Sequence, residues 1–139
     1  MEIRFAEPED LDLVFQFIHD LAAYEHKEDE VVARREDLAA WMFERRTVEV
    51  LFAIEDGEEV GFALFFHNFA TFQRKAGIYL EDLFVRPEHR GKGCGKGLFA
   101  ALARLADERG CAFLEWRVLK WKRPSIGFYE SLGGKPLEE

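Results

Sequence analysis

The sequence has little of what metal centres, disulfide frameworks and membrane spans require. Its two cysteines, Cys94 and Cys111, lack CxxC spacing, and its four histidines lack ligand spacing. We therefore expect no metal site and reduced thiols, the usual state in the cytoplasm. No apolar run reaches the roughly 18 residues of a membrane-spanning helix, and the first four residues do not resemble a signal peptide. These features predict a cytoplasmic protein with no membrane partner.

Positive charge is also scarce. The 139 residues include 19 Lys and Arg against 27 Asp and Glu, a formal net charge of -8. This balance disfavours a nucleic-acid partner and favours a cationic small molecule, although solubility alone also explains an acidic surface. With 48% hydrophobic residues, the chain is long enough for one core and too short for two. We expect a single domain over residues 1–139.

The spacing of apolar residues predicts an alternation of strands and helices. Ile3 and Phe5 indicate a strand, Asp56-Gly57 indicates a hairpin, and Gly110 is typical of a helix end. The predicted order is a strand at 3–5, helices over 8–24 and 35–43, a hairpin of two strands around residues 56 and 57, a strand over 77–85, a helix over 98–109, a strand over 111–118 and a helix over 124–134. This order predicts an α/β (α+β) fold, a mixed sheet covered by helices.

The stretch RGKGCGKG, residues 90–97, has four glycines and three cations in eight positions. It lies between a predicted strand and a predicted helix, where unpaired N–H groups and the helix dipole favour an anion. Arg90, Lys92 and Lys96 add charge, so the stretch predicts a phosphate or pyrophosphate site. Neither the P-loop nor the dinucleotide pattern fits, because the required Ser or Thr and the required third glycine are missing. A surface loop whose glycines only turn the chain is the alternative.

Two further features have both a structural and a functional explanation. Glu81 and Asp82 lie within a predicted strand, where an inward-facing acid needs a partner or a functional reason. Tyr129 lies at helical spacing from Ile126 and Leu132, and this spacing alone favours an ordinary core tyrosine over a functional one.

Arg90, Gly93 and Gly95 form an Arg-x-x-Gly-x-Gly pattern after a strand that ends LFVRPEHRG. With YLEDLFV, KWKRPSIGFYESLGG and LAAYE, the pattern resembles the diamine acetyltransferase branch (spermidine/spermine and thialysine acetyltransferases) of the GNAT superfamily. The resemblance extends from about Ile3 to Gly134. It implies a mixed, mostly antiparallel sheet with helices on both faces.

The resemblance also implies a reaction. Acetyl-CoA, the cosubstrate, would give its acetyl group to a primary amine by direct attack in a ternary complex, without metal. The acceptor would be a small polyamine, diamine or amino-acid-like molecule. Two alternatives stay open: an acetyltransferase acting on protein N-termini or lysine side chains, and a non-catalytic module that binds acyl-CoA.

The resemblance assigns roles by position. Tyr129 would be the general acid that protonates the departing thiolate, and Glu81 would hold the amine and pass its proton on through water. The implied cofactor-binding residues are Leu83, Phe84, Val85, Arg90, Gly91, Lys92, Gly93, Cys94, Gly95, Lys96, Lys122, Pro124 and Ser125. The implied substrate-binding residues are Tyr24, Glu25, Glu81, Asp82, Glu115, Trp116 and Arg117.

The sequence departs from this branch in two places. Lys122 stands where an asparagine usually helps to bind the cofactor. The sequence also stops at Glu139, where related enzymes continue into a final strand. Because a bare sheet edge invites pairing with another chain, we expect either a trimmed sequence or a homodimer whose partner covers the edge.

Overall fold

The computed structural model describes residues 1–117 and Gly133. Within them, the strands form one mixed sheet whose spatial order follows the sequence. The first four strands are antiparallel, and the fifth is parallel to the fourth. The strands are β1 (Glu2–Phe5), β2 (Glu49–Glu55), β3 (Glu58–Ala70), β4 (Lys75–Val85) and β5 (Leu114–Trp116). The predicted mixed sheet is confirmed.

Helices cover both faces of the sheet. On one face lie α1 (Leu11–Tyr24) and α2 (Arg35–Ala39), the latter continued by a π-helical turn, Ala40–Glu44. On the other face lies α3 (Cys94–Glu108). Short 3-10 turns occur at Pro8–Asp10, Glu28–Glu30 and Pro87–His89. The predicted helix over 124–134 and any strand after it fall outside the described residues.

The α1 side of the core is built from aromatic rings. Phe17 of α1 is fully buried, and its ring centroid lies 5.2 Å from that of Phe62 and 5.9 Å from that of Phe52. Such ring pairs add to the free energy gained by removing apolar surface from water. The i, i+3 spacing of Val14 and Phe17 places both on the buried stripe of α1.

The turn between β2 and β3 explains the strong hairpin signal. Asp56 and Gly57 have φ angles of 51° and 78°, the left-handed conformations that a tight two-residue turn requires. The structure extends β3 well past this turn, to Ala70, and pairs it with β4 over ten positions. The second hairpin therefore projects farther from the core than the first.

Helix α3 begins earlier than predicted. The low helix propensity of glycine moves the expected start to Leu98, but the helix begins at Cys94 and incorporates Gly95 and Gly97. A side chain at Gly97 would collide with the methyl group of Met1. This methyl group ends a flexible, exposed side chain, so the contact shows that α3 lies close to the start of β1 but does not by itself require glycine here.

Strand β5 is shorter than the predicted strand over 111–118, and an aromatic ring fixes its position on β4. A β-carbon at Gly77 would overlap the ring of Phe113, so the ring occupies the space that a side chain would take. The backbone continues the contact, since Ile78 N–H donates to the Phe113 carbonyl at 3.0 Å. This packing sets the parallel register in which Tyr79 lies opposite Glu115.

We expect Gly77→Ala to destabilise the protein by about 1–3 kcal/mol, because the new methyl group must displace the Phe113 ring. Urea unfolding followed by tryptophan fluorescence measures the loss. Combining it with Phe113→Ala removes the clash, so the double variant should lose clearly less than the two single losses added together. Additive losses would contradict this packing.

Candidate functional site

A bulge in the middle of β4 organises the site. Leu64 of β3 pairs with Asp82 and Phe65 pairs with Leu80, so Glu81 is an extra residue without a partner on β3. A single extra residue moves the following side chains to the opposite faces of the sheet. Before the bulge, Ile78 and Leu80 face the α3 side of the core; after it, Leu83 and Val85 do so, and these are the side chains of the core cluster around α3.

The bulge therefore turns an acid toward the α1 side. Phe84 belongs to the core cluster under α1, and Asp82, two residues earlier on the strand, shares its face. Burial, and then the charge of Glu81, raise the pKa of Asp82 from 3.8 to about 6. Within the described residues no cation or hydrogen-bond donor compensates this carboxylate. Glu81 itself is exposed beside it.

The pairing of β5 with β4 ends at the same point. Leu80 and Trp116 are the last pair, so among the described strands residues 81–85 of β4 have no neighbour on that side. Backbone groups along this open edge are free to pair with an extended ligand. The Val85 carbonyl is an exception, because it accepts a hydrogen bond of 2.9 Å from Nε of Arg90.

The glycine stretch forms a loop that ends at the start of α3. Gly91 and Gly93 have φ angles of 79° and 86°, and a β-carbon at either position would meet only open space. These glycines therefore serve the turn and the close approach of a ligand to the backbone. The first N–H groups of α3, from Cys94 onward, point out of the helix end and favour an anion. Lys92 and Lys96 are exposed beside it.

Arg90 does not extend into the loop. Its guanidinium carbon lies 4.3 Å from the centroid of the Tyr24 ring and 5.4 Å from that of Phe84. The two rings are themselves 6.0 Å apart. Because cations are attracted to the faces of aromatic rings, Arg90 fastens the end of α1 to the root of the glycine loop.

A second contact supports the loop, and no pattern in the sequence predicts it. Nδ1 of His89 lies 3.3 Å from a carboxylate oxygen of Glu55, at the end of β2. The contact joins the β2–β3 hairpin to the turn that precedes Arg90. Only the fold brings two residues 34 positions apart into contact here.

Polar side chains also lie on the α1-side face around the part of β4 that precedes Asp82. Tyr79 packs against Phe66 with ring centroids 5.2 Å apart, and its hydroxyl lies beside the guanidinium of Arg117. Burial raises the pKa of Tyr79, while Arg117 opposes the rise. Nδ2 of Asn68 donates to Oε1 of Glu115 at 2.7 Å, and Oδ1 of Asn68 is buried without a partner in the described part of the chain.

Two of the predicted site residues, Trp116 and Cys94, direct their side chains to the α3 side of the sheet. Trp116 lies on the α3 side, where its ring packs edge-on against Phe99 with centroids 4.8 Å apart. Its side chain is therefore separated from Glu115 and Arg117, because successive residues of a strand face opposite sides. The side chain of Cys94 is also buried in the α3-side core, so only its backbone is available to a ligand.

Four predicted residues fall outside the described part of the chain: Tyr129, Lys122, Pro124 and Ser125. Two residues that the sequence did not single out, Asn68 and Tyr79, do belong to the polar face. The sequence does not distinguish these two residues, because a single polar side chain in an apolar strand is common where the strand faces solvent.

The described residues contain neither a cluster of metal ligands nor a membrane-spanning helix. No three His, Cys, Asp or Glu side chains in residues 1–117 and 133 are grouped as metal ligands. No helix in the same residues is both long and apolar enough to span a membrane.

Comparisons with known proteins agree on one family. The acetyltransferase (GNAT) family profile matches residues 14–134. An L-ornithine N5-acetyltransferase of Arabidopsis thaliana is 30% identical, covering 99% of this chain and 80% of its own. A thialysine N-epsilon-acetyltransferase of Bos taurus is 32% identical, covering 99% and 85%. The structure of an integron cassette protein from the mobile metagenome of V. cholerae superposes with a TM-score of 0.79 at 32% identity, covering 98% and 86%.

We expect Asp82→Asn to stabilise the folded protein at pH 7.5. Because the pKa of about 6 exceeds the unfolded value of 3.8, the folded state binds this proton more tightly, and stability falls as the pH rises from about 4 to above 6. At 1.36 kcal/mol per pH unit, the buried charge costs at most about 3 kcal/mol at neutral pH. Urea unfolding at pH 4 and pH 7.5 measures the gain.

The gain should be about 1–3 kcal/mol at pH 7.5 and close to zero at pH 4. Glu81→Gln is the matched control, since Glu81 is exposed and its loss should change stability far less. An Asp82→Asn protein that is less stable than wild type at pH 7.5 would show that the carboxylate is already compensated.

Proposed function

The chain belongs to the acetyltransferase (GNAT) family, and we propose that it transfers an acetyl group from acetyl-CoA to a primary amine of a small basic molecule. The observation that carries this proposal is the placement of two unlike sites along β4. A glycine loop at a helix start and an open strand edge lie at one end. The partly buried carboxylate of Asp82 faces the other side of the sheet, and no cation or donor among the described residues compensates it.

The loop and the strand edge suit the two parts of acetyl-CoA. The N–H groups at the start of α3, with Lys92 and Lys96 beside them, would hold the pyrophosphate. Leu83 and Phe84 pair with β3 on one side and have no neighbour among the described strands on the other. The pantetheine arm would pair with the backbone on that second side, as an added strand does. An N–H group of this edge would then donate to the thioester oxygen as negative charge develops on it.

The acids suit the acceptor. A lysine-like amine has a pKa near 10.4, so forming the free base at pH 7 costs about 4.6 kcal/mol. Asp82 and Glu81 attract the ammonium form, and a carboxylate with a pKa of about 6 is a better proton acceptor than an ordinary one near 3.8. We infer that these two acids hold the reacting nitrogen and that its proton leaves through water.

The chemical step then conserves every atom. The free amine attacks the thioester carbon, a C–N bond forms and the C–S bond breaks. The nitrogen gives up a second proton to water as the amide forms, and the thiolate of CoA takes up a proton. Tyr129, assigned by resemblance to the family, would supply that proton. A thiolate with a pKa near 8.5 is already a fair leaving group, so this help is moderate.

The acceptor in this proposal is a small molecule. Its support is the buried position of Asp82, which a compact ammonium can reach more easily than a bulky protein surface. The relatives from Arabidopsis thaliana and Bos taurus are named for ornithine and thialysine, two small amines. Transfer to a protein N-terminus or lysine side chain is the alternative, as is binding of acyl-CoA without turnover. A homodimer and a cytoplasmic location stay predictions from the sequence.

We expect the purified protein to release free thiol from acetyl-CoA when it is given a small diamine or a basic amino acid. A colorimetric thiol assay with spermidine, short diamines, ornithine, thialysine and lysine-containing peptides measures the rate for each acceptor. Mass spectrometry of the product should show one added acetyl group. Thiol release with peptides alone would favour the protein-directed alternative. Binding of CoA in calorimetry, with no thiol release from any acceptor, would leave only the binding module.

We expect Tyr129→Phe to lower kcat about 10- to 100-fold without abolishing turnover, because the thiolate can leave with slower protonation from water. Steady-state rates at pH 6 to 9 measure the effect. The loss should be largest at high pH, where water supplies protons least readily. CoA binding by calorimetry is the control and should be unchanged. A variant with the wild-type rate at every pH would remove this role from Tyr129.

A further inference from the structure

The acceptor face of the sheet carries a cation among its acids. Arg117 follows β5 directly, and its guanidinium lies beside the Tyr79 hydroxyl. Because Glu115 pairs with Tyr79 in the parallel register, and residues two apart share a face, Glu115 and Arg117 face the same side as Tyr79. A site that takes only cationic groups gains nothing from this charge.

Arg117 is also available for a ligand. It is exposed, and no ion pair within residues 1–117 engages its guanidinium. A guanidinium offers a planar fork of donors that matches a carboxylate, and a phenol hydroxyl can add a further hydrogen bond. Arg117 and Tyr79 together are therefore suited to a small anionic group.

The side chain of Asn68 offers a hydrogen-bond acceptor, because its amide oxygen receives no hydrogen bond from the described residues. Asn68 pairs with Gly77, which has no side chain, and so reaches across β4 to Glu115. The contact of 2.7 Å uses Nδ2 and leaves Oδ1 buried, with no hydrogen-bond partner in residues 1–117. An unmet buried acceptor is costly, and an ammonium group, which has three donors and no acceptor, satisfies it best.

Resting on the function proposed above, we propose that Asn68, Glu115 and Arg117 form a subsite for the zwitterionic end of an α-amino acid. Asn68 and Glu115 take its α-ammonium group, and Arg117 with Tyr79 takes its α-carboxylate. The distal amine of the same molecule is the one that reaches Glu81 and Asp82. Arg117 thereby selects a basic amino acid over a diamine.

The distances along β4 suit such a molecule. Asp82 comes three positions after Tyr79, about 10 Å of strand at 3.3 Å per residue, and the bulge shortens this span. Side chains extend into the site from both ends. A basic amino acid with three or four methylene groups can therefore contact both ends at once.

A diamine of the same length meets a different balance of charge. It offers an ammonium group at both ends and no carboxylate, so the guanidinium of Arg117 faces a like charge. At close range in a partly desolvated site this repulsion raises KM for the diamine. The α-carboxylate of an amino acid instead neutralises Arg117.

The test compares ornithine with 1,4-diaminobutane, which is ornithine without its carboxylate, in the thiol-release assay. For the wild-type protein we expect kcat/KM to be at least 10-fold higher for ornithine, mostly through KM. Ornithine methyl ester, which keeps the shape but lacks the charge, should behave like the diamine. In Arg117→Gln we expect the preference for ornithine to fall to within about threefold of unity.

Three further variants sharpen the result. Arg104→Gln removes an exposed arginine of α3 on the opposite face, and its preference should equal that of wild type. Arg117→Lys should keep part of the preference, since it keeps the charge without the planar fork. Asn68→Ala should raise KM for both acceptors and leave their ratio nearly unchanged, because both carry an ammonium group at that end.

The outcomes separate this inference from the function on which it rests. Two results would overturn the subsite while leaving the acetyltransferase in place. One is an equal kcat/KM for ornithine and the diamine in wild type. The other is an unchanged kcat/KM ratio in an Arg117→Gln protein that still binds CoA and unfolds at the wild-type midpoint. No thiol release from any acceptor would instead overturn the proposed function. A preference lost equally in Arg104→Gln would show that overall charge, not this subsite, selects the acceptor.

Discussion

The site depends on one extra residue in β4. Without the bulge at Glu81, residues 78, 80, 82 and 84 would share a face, and Asp82 would point into the apolar core beneath α3. The bulge lets Leu83 and Val85 take those core positions. It thus turns Asp82 toward the α1 side of the sheet. Asp82 lies two residues after Leu80, the last residue of β4 that pairs with β5. One local irregularity therefore turns the acid of the acceptor site to this face, next to a stretch of β4 that has no neighbour among the described strands on its β5 side.

The cost of this arrangement falls on Asp82. A carboxylate in a largely buried position without a described partner destabilises the folded state at neutral pH, and an ammonium ligand would remove most of that penalty. The rest of the fold compensates through ordinary packing, such as the rings of Phe17, Phe52 and Phe62 and the ion pair of Arg109 with Glu49 at 2.6 Å. Strain at a functional position is thus supported by a core that contains no polar group among its described buried residues.

The sequence predicted the parts that local chemistry determines. Asp56-Gly57 marked a hairpin, the stripe of α1 marked a buried helix, and RGKGCGKG marked a loop at a helix start. The bulge left a trace as well, since the apolar residues 78, 80, 83 and 85 are spaced two, three and two apart. The contacts that could not be predicted join residues far apart in the sequence. Gly97 lies against Met1, Asn68 donates to Glu115, and the Trp116 ring packs against Phe99 on the α3 side.

The distribution of charge explains how an acidic protein can hold a diphosphate. The net charge of -8 is spread over the whole surface, and at physiological salt its effect fades over about 8 Å. Within that distance of the loop, a ligand meets the N–H groups of α3 and the cations Lys92 and Lys96, so the local field is positive. A few residues back along the chain, Glu81 and Asp82 make the field negative. Arg90, held over the rings of Tyr24 and Phe84, precedes the loop in the chain and adds one more positive charge at its start.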